Sequence, residues 1–215
     1  MISLKNIGKS YGEKIVLQDL NLDIESGKVL CVLGESGSGK TTLLNILEGL
    51  TDYSGVVTGV QKPLAMVFQK DRLIPNLTVL ENLKLVNKSA TKEDLERVGL
   101  AGTENLYPKS LSAGMSRRVA ILRAMLFESS LLMLDEPFIN LDIAIKYSII
   151  DSIKKDRESD GEKQTVIMVT HDIKEAVTLA DRIVVLAKGN IIKDIGNITA
   201  DTEKELFDLF LSQKE

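Results

Sequence analysis

The sequence predicts an α/β fold with a mainly parallel sheet, an N-terminal antiparallel β subdomain and a helical insert. Three observations lead there. Short continuous apolar runs recur at 29–33, 64–68, 131–134, 166–169 and 183–186, a pattern that suits strands buried on both faces. Helical patterns fall between them, as in Ile173, Ala176, Val177 and Ala180 at spacing i, i+3, i+4, i+7. A glycine-rich stretch directly follows the first of the buried runs. Strands alternating with helices argue for a layered α/β domain.

The runs at 2–7, 15–17 and 20–24 are short, close together and joined by Tyr11-Gly12 and similar turns. They predict antiparallel strands ahead of the first buried run. Within 29–33, Cys31 reads as a buried small hydrophobe. Leu43, Leu44, Leu47 and Leu50 mark a helix. The stretch 71–128 has few strand-like runs and reads as a mainly helical insert. In it, 91–98 forms a helix capped by Thr91, and Val119, Leu122 and Leu126 make an apolar stripe. Asp172 with Glu175 caps the helix that starts at Ile173. Lys188-Gly189-Asn190 predicts a tight hairpin turn. The tail, 201–214, predicts a final helix with Leu206, Phe207, Leu209 and Phe210 on one face.

A chain of 215 residues can bury one α/β core. The net charge of -4 shows no basic excess, so nucleic-acid binding is not expected. One cysteine permits no intramolecular disulfide, which fits the cytosol. The first residues lack the regions of a signal peptide. No apolar run approaches the roughly 18–20 residues that span a bilayer. Work at a membrane would require docking on a protein that crosses it.

Gly34-Glu35-Ser36-Gly37-Ser38-Gly39-Lys40-Thr41 fits the phosphate-loop pattern G-x-x-x-x-G-K-[ST]. Glycines let successive backbone N–H groups point inward at phosphate oxygens. The helix beginning near Lys40 adds the positive end of its dipole. Lys40 reaches the β- and γ-phosphates, and the Thr41 hydroxyl is a ligand for Mg²⁺. Residues 131–134 lead into Asp135-Glu136-Pro137. Asp135 at the strand tip is placed for the Mg²⁺ shell. Glu136 can polarise an attacking water as general base. A phosphate-loop NTPase core follows, binding ATP with Mg²⁺.

The narrowing segment is Leu111-Ser112-Ala113-Gly114-Met115 with its arginine- and alanine-bearing continuation to Ala124. It resembles the LSGGQ signature of the ABC ATPases, and Asp135 follows Ser112 by 23 positions, as that family has it. Other matches appear in order across essentially the whole chain: Tyr11, Gln69, Asn140-Leu141-Asp142 and His171. The resemblance implies one ATP-binding cassette over 1–215, with a helical subdomain at about 71–128 inserted in the core. It implies that Tyr11 stacks on adenine and that residues Gly34 to Thr42 hold the nucleotide. Gln69 would sense Mg²⁺ and the attacking water, Asp142 would end a loop facing the nucleotide, and His171 would contact the γ-phosphate. Ser112 and Gly114 would close on the ATP of a second copy. A homodimer, or a paired ATPase subunit, would thus sandwich two Mg-ATP molecules.

Further implied partners are transmembrane permease subunits and an extracytoplasmic substrate-binding protein. The protein would sit peripherally on the cytoplasmic face of the membrane. Met115 in the signature, and the segments 71–82 and 171–182, resemble importers of the nitrate, sulfonate and taurine group. These imply a small organic anion or vitamin precursor as cargo. Three other functions share parts of the pattern. An exporter or lipoprotein-release ATPase shares every catalytic motif. A soluble repair or translation ATPase typically adds coiled coils, zinc sites or a tandem cassette, and a simple kinase has no use for the signature segment. The sequence ends without the regulatory domain of sugar-type importers. Ala113 replaces a family glycine, so a requirement for φ > 0 there would disfavour it. Arg117, Arg118 and Arg123 are expected on a solvated or ion-paired helix face.

Overall fold

The computed structural model describes residues 1–158 and 163–212. In chain order its first elements are β1 (Ile2–Tyr11), β2 (Lys14–Ile24), β3 (Val29–Leu33), α1 (Lys40–Glu48), β4 (Ser54–Thr58) and β5 (Leu64–Val67). Then come α2 (Val79–Lys84), 3-10 turns at Glu93–Val98 and Pro108–Ser110, α3 (Ala113–Met125), β6 (Leu131–Asp135) and α4 (Ile143–Glu158). Last are β7 (Thr165–Thr170), α5 (Ile173–Leu179), β8 (Arg182–Ala187), β9 (Asn190–Ile195) and α6 (Thr202–Ser212). Met1–Gln61 with Thr165–Glu215 form one compact unit, and Lys62–Gln164 form the other.

In the first unit, β3 lies between β7 and β8, parallel to both, and β9 adds antiparallel to β8. All residues of β3 and β7 are buried, which is why their sequences are apolar rather than alternating. Leu33 pairs with Thr170, so the segments after β3 and β7 leave the sheet side by side. A separate antiparallel sheet has the order β2-β1-β4.

The expected strands at 15–17 and 20–24 are one strand, β2. Asp19 takes φ 44° and β1 slips register opposite it, which returns both Leu17 and Leu20 to the buried face. A bulge of this kind hides a strand from an alternation test. The sequence also did not announce β4, whose Gly55 at φ 98° sits where a Cβ would lie 2.4 Å from the Asn6 carbonyl oxygen.

Asp172 caps α5, accepting from the N–H groups of Lys174 and Glu175. Glu175 does not complete a reciprocal box. Its buried carboxylate accepts from the Thr170 hydroxyl at 2.6 Å, and the Asp172 N–H donates to that same hydroxyl. In α6, Leu206 is buried while Phe207 is 55% exposed. A step of one residue turns a helix by about 100°, so Phe207 leaves the face it was expected to share. Gln213 and Lys214, within the expected tail helix, lie outside the described residues.

In the second unit, β5 and β6 pair in parallel, and the described elements between them are helical. Thr78 and Glu81 form a capping box at α2. Buried Asn82 then ties the preceding loop to that helix, bonding Ile74 through its N–H and carbonyl, and the carbonyls of Leu77 and Thr78. Residues 91–98 are not the expected α-helix. Glu93–Val98 is a 3-10 turn, Lys92 occupies its N-cap, and Thr91 donates its N–H to the Asp94 carboxylate instead of capping. Gly99 at φ 64° ends the turn, and Arg118 donates to the Val98 and Gly99 carbonyls.

Lys188 and Gly189 form the expected two-residue turn between β8 and β9, with φ 47° and 80°. The turn does more than join strands. The Gly189 N–H donates to the Ser38 carbonyl, and its own carbonyl accepts from the Gln18 N–H. A Cβ on Gly189 would sit 2.6 Å from the Val16 carbonyl oxygen. Gly189→Ala is therefore expected to lower stability by about 1–3 kcal/mol, measured by urea unfolding, because it combines a left-handed backbone with a clash against main chain.

Candidate nucleotide site

In the first unit, β3 ends at Leu33 and the chain turns at once into the glycine-rich loop. The Gly34 N–H donates to the Thr170 carbonyl at 3.2 Å, which brings the loop beside His171. His171 is exposed at the end of β7. Three positions in the loop exclude side chains. A Cβ on Gly34 would lie 2.3 Å from the Leu186 carbonyl oxygen, and Gly37 and Gly39 take φ 81° and 109°. Gly39 also packs so tightly on Leu17 and Val16 that a Cβ would reach 2.7 Å from the Leu17 side chain. No residue pattern shows that β2 and the β8–β9 hairpin together brace this loop. The glycine at 189 is the trace it leaves in the sequence.

Lys40 opens α1 and is buried to 6% exposure. Its ammonium donates to the carbonyls of Gly34 at 2.7 Å and Glu35 at 2.9 Å, folding the loop around a fixed positive charge. The Ser38 hydroxyl is buried and has no hydrogen-bond partner. An orphaned hydroxyl, an ammonium and a helix N-terminus face one cradle, and that donor set fits phosphate oxygens. Glu35, Ser36 and Gly37 are exposed, Thr41 and Thr42 half-buried. Tyr11, half-exposed at the end of β1, has the Lys9 ammonium 4.7 Å from its ring centroid. Lys9 in turn bonds Asp52 at 2.7 Å, and that hydrogen bond is the main cause holding the Asp52 carboxyl below its ordinary range.

In the second unit, β6 delivers Asp135 and Glu136. Asp135 is 1% and Glu136 8% exposed, and Glu136 takes φ 46°. A non-glycine residue in the left-handed region costs on the order of 1–3 kcal/mol and persists only where its surroundings enforce it. Here the enforcing group is Arg117. Its Nη2 donates to the carbonyls of Asp135 at 2.6 Å and Glu136 at 2.7 Å, and its Nε to Pro137 at 2.9 Å. Its Nη1 donates to the Phe68 carbonyl and, at 3.2 Å, to the Asp71 carboxylate. Of the solvated or ion-paired face expected for it, Arg117 takes the ion-paired form, being 5% exposed and paired with Asp71. Its partners are mostly main-chain carbonyls, which no residue pattern reveals.

Ser112 is the N-cap of α3, its hydroxyl oxygen accepting from the Met115 N–H at 3.2 Å. A hydroxyl that accepts there keeps its own proton to donate elsewhere. Ala113 is the first helical residue and has no positive φ, so the glycine requirement considered from sequence does not arise. Gly114 is where space is short, since a Cβ would lie 3.0 Å from the Asn140 carbonyl oxygen. Asn140 itself takes φ 62°, and the Asp142 carboxylate accepts from the Ile145 N–H at 3.0 Å, capping α4. Gln69 is exposed just after β5, with its carbonyl 3.5 Å from Arg117 Nη1.

Comparison with known proteins places the chain in a family. The family model described as ABC transporter matches residues 17–139. The aliphatic sulfonates import ATP-binding protein SsuB 3 of Paraburkholderia xenovorans is 39% identical over 198 residues, 88% of this chain and 78% of that protein. The aliphatic sulfonates import ATP-binding protein SsuB 1 of Paracoccus denitrificans is 39% identical over 201 residues, 90% and 82% of the two chains. Among solved structures, the ATP-binding cassette MJ0796, a dimer in a post-hydrolysis state bound to ADP and Pi, superposes with a TM-score of 0.76. It is 32% identical, covering 90% of this chain and 97% of that one. The matched stretch holds the phosphate loop, the signature helix and the acidic strand end, and the chain belongs to the ABC transporter family as an ATP-binding, ATP-hydrolysing cassette.

Proposed function

We propose that this chain is the energy-coupling ATPase subunit of a membrane importer for a small organic anion. The observation that carries the reading is the pairing of a phosphate cradle around Lys40 with a signature segment whose relatives are named for sulfonate import. Residues 1–215 make up one cassette, with the helical subdomain at about 71–128. Among the described residues no helix is long and apolar enough to cross a membrane. The proposed place of work, by analogy with the relatives named for import, is peripheral, at the cytoplasmic face, on transmembrane permease subunits fed by an extracytoplasmic binding protein.

In the proposed reaction, backbone amides of the 34–42 loop and the Lys40 ammonium hold the triphosphate, and Tyr11 stacks on adenine. The Thr41 hydroxyl, Gln69 and Asp135 offer the oxygen ligands that suit a small hard cation. Mg²⁺ there would neutralise charge on the phosphate oxygens. The Glu136 carboxylate takes a proton from the attacking water, and His171 touches the γ-phosphate and holds its developing charge. The partner subunit's Ser112 and Gly114 close over the phosphates through a hydroxyl proton and a backbone N–H, with Asp142 nearby at the end of its loop. Two copies then make two complete sites. Loss of the γ-phosphate link lets the pair reopen, and that motion is the output.

Two substitutions test this. Glu136→Gln keeps the shape but not the basicity of the side chain. It is expected to bind ATP normally while turnover falls by about 10²–10⁴-fold, with a stable ATP-bound dimer visible by size-exclusion chromatography. Hydrolysis at the wild-type rate would remove Glu136 as the base. Ala113→Gly is expected to leave the ATPase rate and its ATP dependence unchanged, since Ala113 already has ordinary helical backbone. A clear gain in rate would show that the methyl group obstructs closure.

A further inference from the structure

The side chain of Arg117 joins two separate stretches of chain to its own helix, and the family reading assigns it no part. An arginine has five N–H donors in a rigid planar fork. Here the fork meets the carbonyls of Phe68, Asp135, Glu136 and Pro137 and the carboxylate of Asp71, with the Gln69 carbonyl at 3.5 Å. The segment around Gln69 and the segment around Glu136 are thus fastened to one buried cation. That cation sits on α3, the helix whose N-cap is Ser112.

A second arginine of the same helix strengthens one side of the junction. Arg123 Nη2 donates to the carbonyls of Asp71 at 3.2 Å and Arg72 at 3.1 Å. Arg72 takes φ 49° and lies 3.6 Å over the Phe68 ring, so the stretch 68–72 has a defined shape rather than that of a loose loop. On the other side, Glu136 holds its left-handed φ with its carbonyl anchored on the fork. Two functional side chains are thereby oriented by one rigid group that touches neither of them.

We propose that Arg117 is a positioning residue for ATP hydrolysis, tying the Gln69 and Glu136 segments to the signature helix and so fixing where their side chains start. This rests on the roles proposed above for Gln69, Asp135 and Glu136. Losing the fork leaves the 34–42 loop intact in the other unit, so binding of the phosphates is spared. What loosens is the placement of the Mg²⁺ ligands and of the base. Lysine cannot substitute, because a single ammonium cannot reach carbonyls on both sides of a planar fork.

The test uses the purified full chain and compares wild type with Arg117→Lys, Asp71→Asn and Glu136→Gln. Melting temperature, ATP affinity without Mg²⁺, and ATPase rate against ATP and against Mg²⁺ are measured for each. For Arg117→Lys, kcat is expected to fall about 10- to 100-fold and the half-saturating Mg²⁺ to rise about 10-fold, while Mg²⁺-free ATP affinity stays at the wild-type value. Asp71→Asn removes one charged contact at the edge of the fork and is expected to shift both quantities the same way, by less. Wild-type kcat and Mg²⁺ dependence in Arg117→Lys would overturn the proposal. So would a uniform loss of kcat, Mg²⁺-free affinity and melting temperature, which would mark Arg117 as structural only. Should Arg117→Lys fail to fold, wild-type behaviour of Asp71→Asn overturns it. Full turnover in Glu136→Gln would instead overturn the assignment of the base, whatever Arg117→Lys does.

Discussion

Backbone amides that leave the end of a buried parallel strand need partners, and a short glycine-rich turn cannot supply them all from within. That constraint governs the first unit. The register of β3 against β7 places Gly34 beside Thr170, so two chain segments exit the sheet together. The loop then curls with left-handed glycines, its Gly34 and Glu35 carbonyls gripping the Lys40 ammonium. A buried hydroxyl at Ser38 is left without a partner. In a protein interior such a group costs about 1–3 kcal/mol, and it persists where a ligand regularly satisfies it.

The second unit obeys a related rule with opposite sign. The carbonyls of Phe68, Asp135, Glu136 and Pro137 and the Asp71 carboxylate need donors, and one buried guanidinium answers them all. Burying a cation is expensive unless it is fully hydrogen-bonded. Arg117 meets that condition with main chain rather than with counter-charges alone. The consequence is mechanical: segments far apart in sequence share one rigid anchor. The strained φ of Glu136 is retained because that anchor fixes its carbonyl.

Much of this could be read from residues. The buried strands announced themselves as apolar runs, because a strand covered on both faces tolerates nothing else. The phosphate loop and acidic strand end were legible because their chemistry fixes residue types at fixed spacing. Asp172 was legible as a cap, since capping needs an oxygen at one position. Other features left no such trace. The bulge at Asp19 broke the alternation of β2, and Gly55 concealed β4. Thr91 fits the cap preference, yet the next residues tighten into a 3-10 turn and Asp94 takes its N–H. Arg117 resembles any surface arginine on a helix, because its partners are carbonyls that every residue carries.

The central claim is that the loop around Lys40 holds a triphosphate through its amides and its ammonium. Equilibrium titration of ATP against wild type and Lys40→Ala, by calorimetry with and without Mg²⁺, tests it most directly. Loss of one charged hydrogen-bonding group should weaken ATP binding by about 10- to 100-fold, with melting temperature and adenosine affinity retained. Equal ATP affinity in the two proteins, or no ATP binding by wild type, would contradict the account.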